Sequence, residues 1–395
     1  MIDEEIQERL VDQLYDRIED LNRDILTEIG KQIKYVGTLT PTQAHKLAQI
    51  TLYGENMNKV ARALARITNM SVNDIYKIFK QTAIENQEFA RQFYKARNVP
   101  FVPYSQNESL QRQVTAIAKL TAKRFRNIMN STGYILDDKF VPIGKVYQEV
   151  VDKAILSVSQ GKTTWQEEMR KSLRKLADKG MRVRVGKNGE PTGTRIIDFK
   201  SGYTRRADTQ VRMNMLDALK EMSNELQEQF GEEFGADGVE ISVHEHPAPD
   251  HAGIQGHQFS KEAFEKLNSE LKRPISTLNC YHYIFSIVLG VSEPEYTQEQ
   301  LDKINAENQQ GFELDGKHYT LYEGTQLQRR LETQVRQQKD RQILARAMDD
   351  EEEAGNCQRK IAMITQKYNR LCRVSGLKPN KARMTVSGYR RVKVG

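Results

Sequence analysis

The sequence predicts an α+β fold that is predominantly α-helical. Apolar residues recur every three or four positions over most of the chain, and they alternate in the manner of strands only near residues 181–198 and 239–243. The chain has 395 residues, of which 38% are hydrophobic and 29% charged, so it is too long and too polar for one compact domain. We predict a helical region at 1–180, a small antiparallel β-containing module at 181–330, and a charged helical arm with an extended basic tail at 331–395.

The N-terminal half is predicted to be a series of packed helices. An apolar stripe from Ile6 to Ile33 predicts the first helix, which Gly37 can end. Capping residues predict two further helix starts, at Thr40 and Ser71. After a proline-containing break at 98–103, helical spacing resumes at about 108–129, and two more helices are predicted at about 143–158 and 164–179.

The central module is predicted to mix strands and helices. A turn-rich segment between 181–185 and 194–198 predicts a β-hairpin, and a helix is expected from Tyr203 to Phe230. Alternation over 239–243 predicts a half-buried strand that places His244 and His246 together on its polar face. A short helix from Ser260 and an apolar stretch at 283–289 follow.

The rest of the chain is predicted to be mostly helical. Thr297 begins a helix, and the Asp315-Gly316 pair predicts a two-residue hairpin turn. A charged helix is expected from Gly324 to about 348, interrupted by five acids at 349–353, with another helix at 357–372. The last twenty-three residues contain no acid and few large apolar side chains, so we expect this tail to stay extended or disordered until it meets a partner.

Composition and motifs exclude several classes of protein. Three cysteines without a C-x-x-C pair give no disulfide framework and no cysteine zinc site. No apolar stretch is long enough to span a bilayer, and the acidic, amphipathic N-terminus is unlike a signal peptide. Neither a P-loop nor a dinucleotide-binding glycine motif is present. The net charge of +7 favours polyanionic partners.

Six of the seven histidines lie between residues 244 and 318, which allows a structural and a chemical interpretation. The structural hypothesis is that these side chains satisfy backbone groups in a proline-containing turn. The alternative is a metal site with His244, His246 and His251 as ligands, joined by Asp250 in a metal-dependent nucleic-acid hydrolase. We favour the structural hypothesis, with no cofactor and no enzymatic activity. Cys280 and His282 also suggest a thiol nucleophile, but a buried, inert Cys280 is the preferred interpretation because no Asn or Asp is evidently placed to orient His282.

The basic tail has two interpretations. Its cations could contact double-stranded DNA, neutralising phosphates and releasing counterions, or the tail could dock on an acidic subunit surface. The candidate nucleic-acid contacts are Arg373, Lys378, Lys381, Arg383, Arg390, Arg391 and Lys393.

Residues 200–330 resemble phage minor capsid proteins of the minor capsid protein 2 type, which are related to the Mu protein F-like minor head proteins. The resemblance rests on four short motifs, which begin at Arg206, Pro249, Asn279 and Gly290. It implies a structural head protein of low copy number near the portal vertex, made in the host cytoplasm, that assists head assembly and DNA delivery. The implied partners are the portal protein and the major capsid protein or scaffold. The signature positions are Arg206, Thr209, His244, His246, Asp250, His251, Gln255, His257, Asn279 and His282.

Overall fold

The fold is described by a computed structural model and is predominantly α-helical with small antiparallel sheets, which confirms the predicted class. The described residues are 16, 19–27, 31, 72–96, 98–130, 132–137, 139–142, 146, 149–150, 152–153, 157, 165–179, 182–184, 204–277 and 280–392. The described helices are α1 (Val72–Ala96), α2 (Glu108–Asn130), α3 (Trp165–Lys179), α4 (Ala207–Phe234), α5 (Lys261–Glu270), α6 (Gln298–Gln310), α7 (Leu321–Ala347) and α8 (Glu351–Ser375). The strands are β1 (Thr132–Leu136), β2 (Lys139–Pro142), β3 (Arg182–Arg184), β4 (Thr204–Arg206), β5 (Gly238–Ile241), β6 (Gln258–Ser260), β7 (Ile284–Ile287), β8 (Phe312–Leu314) and β9 (Lys317–Tyr319).

The largest apolar core lies among helices α1, α2 and α4. Buried side chains from these helices pack with Leu21 and Ile25 of the helical residues 19–27 and with Leu344 near the end of α7. A polar contact crosses this core, where Asn86 donates to Ser223 Oγ at 3.1 Å. The long-range packing explains why these amphipathic helices form, since each buries its apolar stripe against the others. The predicted domain boundaries stay predictions.

Several N-terminal predictions are confirmed and some fall outside the described residues. Helix α1 begins one residue after the predicted cap, α2 matches the predicted 108–129, and α3 matches the predicted 164–179. The described residues of the predicted helices at 6–33 and 143–158 are helical. The predicted helix start at Thr40 and the second hairpin strand at 194–198 lie outside the described residues.

A four-stranded antiparallel sheet, in the order β2-β1-β3-β4, contains a hairpin that was not predicted from the sequence. Strand β1 pairs with β2 through Leu136 and Lys139. Tyr134 is fully buried and donates to Asn22 Oδ1 at 2.8 Å, so a contact with a distant residue fixes this strand. Strand β4 also corrects the predicted start of the next helix at Tyr203, since α4 begins only at Ala207.

The central module contains a three-stranded antiparallel sheet, in the order β6-β5-β7. Every residue of β5 is buried, so the prediction of a half-buried strand is wrong. Both faces are covered: Val239 and Ile241 pack in a small core with Phe264, and the Glu240 carboxylate accepts hydrogen bonds from Gln258 Nε2 and from the backbone of Glu295. The strand ends at Ile241, which leaves His244 and His246 in the following bend.

Local capping signals set the helices that follow the module. Ser260 caps α5, and Thr297 forms the predicted capping box of α6 with Gln300. Asp315 and Gly316 both have positive φ, as the predicted hairpin turn requires. Helix α7 begins at Leu321 rather than at the predicted Gly324, because a second capping box precedes it.

The C-terminal arm is an antiparallel pair formed by α7 and α8, which share an apolar core. Asp350 caps α8 by accepting from the backbone N–H of Glu353, and three glutamates occupy the first turn, where the helix dipole favours negative charge. These acidic residues therefore form the beginning of α8, in addition to separating it from α7. Helix α8 covers the predicted 357–372 and extends it at both ends.

The tail has little regular secondary structure, and it packs against its own chain. Only Ala382–Met384 forms a short 3₁₀ turn, and Leu377, Met384 and Val386 are buried. Side chains of α7 bind main-chain oxygens of the tail: Lys339 Nζ donates to Met384 O at 2.6 Å. The expectation that the tail stays unpacked until it meets another molecule is therefore wrong for residues 376–392.

Among the described helices, none is long and apolar enough to cross a membrane.

Candidate functional site

The candidate site is a cleft of about 690 Å³ between the central module and the arm formed by α7, α8 and the tail. Two irregular parts of the module form one wall, residues 244–251 after β5 and residues 273–277 with 280–282 before β7. The other wall includes Tyr322 and Arg329 of α7 and Lys378 and Arg383 of the tail. A surface shared by two parts of the molecule is a usual place for a binding site.

The loop after β5 is held by side chains of helix α6. Asn308 Nδ2 donates to Pro247 O at 3.3 Å, and Asn305 Nδ2 donates to Ala252 O at 3.0 Å. Gly256 closes the loop with a positive φ of 71° and donates its N–H to Ile241 O at 2.8 Å. The loop therefore has a fixed shape although it lacks regular secondary structure.

An ion pair connects this loop with the second segment. The Asp250 carboxylate binds both Nε and Nη2 of Arg273. Although burial opposes it, this contact holds the pKa of Asp250 below its ordinary value. Arg273 Nη1 also donates to Tyr322 OH at 3.3 Å, so the pair reaches across to α7.

A cluster of His251, Cys280 and His282 lies where the two segments meet. The Cys280 sulfur lies 3.7 Å from His251 Nδ1 and 3.3 Å from His282 Nδ1. Burial raises the pKa of the Cys280 thiol, but the contacts with the two histidines and the charge of Lys220 outweigh it and lower the pKa to about 5. Burial lowers the pKa of His251, but its contacts with Cys280 and with the Arg273 carbonyl raise the pKa above its ordinary value. The surroundings thus favour the thiolate, which is the form of cysteine that attacks electrophiles and binds metals.

His244 lies beside this cluster as a neutral ring. Its ring centre is 5.1 Å from that of His282, and its Nδ1 accepts from the backbone N–H of His246 at 3.3 Å. Burial above all, and then the electrostatic influence of His282, His246, Lys220 and Arg329, lower the pKa of His244 to about 3. It therefore stays uncharged at neutral pH.

Tyr281 joins the module to the arm. Its hydroxyl accepts from Arg329 Nη2 at 3.0 Å and from Arg383 Nη2 at 3.4 Å. The ammonium of Lys220 lies 5.5 Å from the centre of the Tyr281 ring, within range of a cation–π contact. Cations from α4, α7 and the tail thus meet at one aromatic side chain.

A second surface is defined by charge. From Ala354 to the C-terminus, α8 and the tail contain no acid and eleven basic residues: Arg359, Lys360, Lys367, Arg370, Arg373, Lys378, Lys381, Arg383, Arg390, Arg391 and Lys393. Nine of them are exposed in the described residues, Arg383 is partly buried beside Tyr281, and Lys393 lies outside those residues. Met363 is also exposed on α8. We call the exposed part of this set the basic surface.

The fold and these two surfaces can now be compared with known proteins. A family model described as phage minor capsid protein 2 matches residues 2–372. The chain belongs to this family. The match extends the sequence resemblance from about a third of the chain to nearly all of it, and it shows a structural protein of the phage head and thus a component of the virion. No curated protein and no solved structure gives a significant match to this minor capsid protein.

The signature positions of the minor capsid protein are only partly brought together. His251 and His282 meet at Cys280, and Gln255 joins them by accepting from His282 Nε2 at 2.9 Å. His257 lies apart, with its ring nitrogens bound to Gln255 O and Gln298 Oε1. Arg206 ends β4, Thr209 lies in the first turn of α4, and Asn279 is outside the described residues.

The roles of two residues of the site were not predicted from the sequence. Cys280 was taken as an inert small side chain, whereas its sulfur lies between two imidazoles. Gln255 orients His282, a role for which only Asn and Asp were considered. The motif Asn279–His282 indicated that Cys280 could contact His282, because it places a cysteine two residues before a histidine. The local spacing did not indicate that His251 also contacts Cys280.

Proposed function

We propose that this minor capsid protein is bound inside the phage head near the portal, where it assists head assembly and DNA delivery as a structural component and not as an enzyme. Its proposed partners are the portal protein, the major capsid protein or scaffold, and the packaged double-stranded DNA. The finer relation to the Mu protein F-like head proteins is part of the same proposal. The basic surface is the observation that carries the proposal, because an acid-free stretch of forty-two residues is suited to a polyanion.

The way the tail is held supports DNA contact. Arg336 Nη1 and Lys339 Nζ bind the tail through its main-chain oxygens, at Arg383 and Met384 respectively. The side chains of Lys378, Lys381 and Arg390 are exposed. Packing of the tail therefore leaves cations available for phosphates, and each phosphate contact would release counterions.

DNA contact is tested by the salt dependence of binding to duplex DNA. Replacing Arg373, Arg390 and Arg391 with alanine should weaken binding and make the slope of log K against log[salt] shallower by up to about 3, since each lost phosphate contact removes about one unit. A matched triple variant, with alanine at the exposed Arg112, Lys119 and Lys303, removes the same charge from other surfaces. Equal loss in both variants would contradict a specific basic surface. Unchanged DNA binding in the first variant would favour the alternative, docking of the tail on an acidic subunit.

Location in the head is tested by cross-linking mass spectrometry of DNA-filled particles, with copy number measured against the portal and major capsid proteins. A low, reproducible copy number with cross-links from α8 or the tail to the portal would support the proposal. A copy number near that of the major capsid protein, or cross-links confined to the outer shell, would contradict it.

The hydrolase alternative with His244, His246, Asp250 and His251 makes a separate prediction. It expects the purified chain to cleave DNA in the presence of Zn²⁺ or Mn²⁺, and it expects His251→Ala to abolish cleavage. In the described structure the Asp250 carboxylate is bound by Arg273, and the cluster that contains His251 is completed by Cys280 and His282.

A further inference from the structure

In the cluster of His251, Cys280 and His282, there are too few protons for every nitrogen–sulfur contact to be a hydrogen bond. His251 and His282 are almost fully buried, and candidate ligand atoms of all three side chains lie within 4.8 Å of one another. A buried polar group without a suitable partner is costly, so the positions of the few protons matter.

The proton on His282 is fixed by Gln255. The backbone N–H of His244 donates to the Gln255 side chain at 3.1 Å, so the receiving atom must be the amide oxygen. The same oxygen lies 2.9 Å from His282 Nε2, which must therefore carry the hydrogen of that contact. In a neutral ring this leaves the lone pair of His282 Nδ1 directed at the Cys280 sulfur.

The proton on His251 is fixed in the same way by a main-chain group. His251 Nε2 lies 2.8 Å from Arg273 O, a carbonyl that can only accept. Nε2 therefore carries the hydrogen, and in a neutral ring Nδ1 also presents a lone pair to the sulfur, 3.7 Å away. Both histidines are oriented by groups outside the cluster.

Two lone pairs thus face one thiol, which has a single proton. Wherever that proton lies, one nitrogen–sulfur contact has no hydrogen in it. A second proton would fill both contacts only by giving the buried cluster a net positive charge close to the ammonium of Lys220, which is unfavourable. A metal cation satisfies all three atoms at once.

The distances fit such an ion. In a tetrahedral zinc site with Zn–N of about 2.0–2.1 Å and Zn–S of about 2.3 Å, the nitrogen–sulfur separation is about 3.5 Å. The two observed separations, 3.3 and 3.7 Å, lie on either side of this value. Hydrogen bonds from the far ring nitrogens to a carbonyl and an amide oxygen are the usual support of metal-binding histidines.

We propose that His251 Nδ1, Cys280 Sγ and His282 Nδ1 bind a divalent zinc-type ion, with a fourth position open to the cleft. Two imidazoles and one thiolate are typical ligands for zinc, whereas hard cations such as Mg²⁺ prefer oxygen. The ion would join the loop at residues 248–256 to residues 280–282, beside a small apolar core. Its role would be to stabilise the module, and this proposal does not depend on where the protein lies in the head.

The test is the metal content and the cobalt spectrum of the full chain. The protein is expressed in medium with added zinc and is then dialysed. The wild-type protein should retain about one zinc ion per chain, as expected for one site with three protein ligands. Replacement of zinc by Co²⁺ should give a thiolate-to-cobalt charge-transfer band and tetrahedral d–d bands. Cys280→Ser should lose the band and most of the metal. Cys357→Ser, which changes a buried cysteine of α8, should keep both.

One further variant and a chelation experiment keep the test decisive if Cys280→Ser folds poorly. Gln255→Ala removes only the group that orients His282, and it should weaken zinc binding by about 10–100-fold while keeping all three ligands. A strong chelator should lower the Tm of the wild-type protein and of Cys357→Ser. Wild-type protein without bound zinc and without a cobalt charge-transfer band would overturn the proposal, as would a Cys280 that reacts with iodoacetamide at the same rate with and without zinc.

Discussion

Gly256 is a residue on which the shape of the loop after β5 depends. Its φ is 71°, a left-handed conformation that costs little only for glycine. A Cβ added there would lie 2.5 Å from Leu301 Cδ2 and 2.8 Å from Val243 Cγ2. Backbone conformation and side-chain packing thus both require glycine.

Gly256→Ala should therefore lower the free energy of unfolding by about 2–4 kcal/mol, from combined strain and overpacking. Gly253→Ala is the matched control in the same loop, because an added Cβ there has no atom within 4 Å and φ is not positive. Urea denaturation of both variants checks the prediction. Similar losses in the two variants would show that the loop tolerates no change at all, rather than a specific need at Gly256.

Asp137 provides a prediction about pH. The carboxylate pairs with Lys153 Nζ at 2.5 Å and with Lys175 Nζ at 2.7 Å, which keeps the pKa of Asp137 below its ordinary value of 3.8. A lowered folded-state pKa contributes stability above the unfolded value, and the contribution is lost as pH falls through the folded value.

Asp137→Asn should reduce the free energy of unfolding at pH 7 by less than about 1 kcal/mol, because the pair is partly exposed to solvent. Asparagine tolerates the φ of 48° at this position, so backbone strain should not contribute. The difference between variant and wild type should shrink as the pH approaches 3, as measured by urea unfolding across the range. A difference independent of pH would contradict the ionic explanation.

At the scale of elements, Tyr281 is one contact that connects the module to both α7 and the tail. Tyr281→Phe keeps the ring and its cation–π contact with Lys220 but removes the acceptor for Arg329 and Arg383. Hydrogen bonds to charged groups contribute about 1.5–3 kcal/mol, and partial exposure puts this pair at the lower end.

We therefore expect faster amide hydrogen exchange in the tail around Arg383 in Tyr281→Phe, with little change in α1 and α2. Tyr319→Phe serves as a control, because it removes a tyrosine hydroxyl from β9 outside this contact. Unchanged exchange in the tail of Tyr281→Phe would show that the main-chain contacts with α7 hold the tail by themselves.

The elements that the sequence predicted are those with local signals. The capping box at Thr297 and the turn at Asp315-Gly316 depend only on residues a few positions apart, and both are confirmed. Strands β1 and β2 were missed because Tyr134 is fixed by Asn22, which is distant in the sequence. Gly324 was taken as the beginning of α7, whereas it lies within the first turn, where an added Cβ would approach Phe312 Cε1 at 2.6 Å. From the local sequence alone, a glycine needed for close packing inside a helix cannot be distinguished from a glycine at a helix boundary.

The candidate site follows the same rule. The sequence placed His251 and His282 among the signature positions, but it did not indicate that they meet at one sulfur. The two rings are oriented by hydrogen bonds with Arg273 O and with the Gln255 side chain. The positions of Arg273 and Gln255 in the sequence do not predict these hydrogen bonds. Only the folded path of the two loops brings the ligand atoms together.

At the scale of the whole molecule, the tail completes the C-terminal core. Leu377, Met384 and Val386 are buried, and the backbone N–H of Asn380 donates to Tyr368 OH at 2.7 Å. The arm is therefore not a pair of helices followed by a separate segment. It is a three-part unit.

Truncation after Ser375 should lower the free energy of unfolding of the arm by about 3–6 kcal/mol, because three apolar side chains lose burial worth up to about 1.5–3 kcal/mol each. Limited proteolysis should then cut within α7 or α8. Lys378→Ser together with Lys381→Ser, which changes exposed side chains only, should leave the proteolysis pattern unchanged. An intact α7 and α8 in the truncated protein would contradict a structural role for the tail.

The attachment of the tail through main-chain oxygens also has an evolutionary consequence. Arg336 and Lys339 bind Arg383 O and Met384 O, and every residue type offers that oxygen. The exposed positions between the buried Leu377, Met384 and Val386 can therefore drift, gaining or losing cations one at a time, without a compensating change in α7. Selection can in this way change the net charge of the arm while the arm itself stays folded.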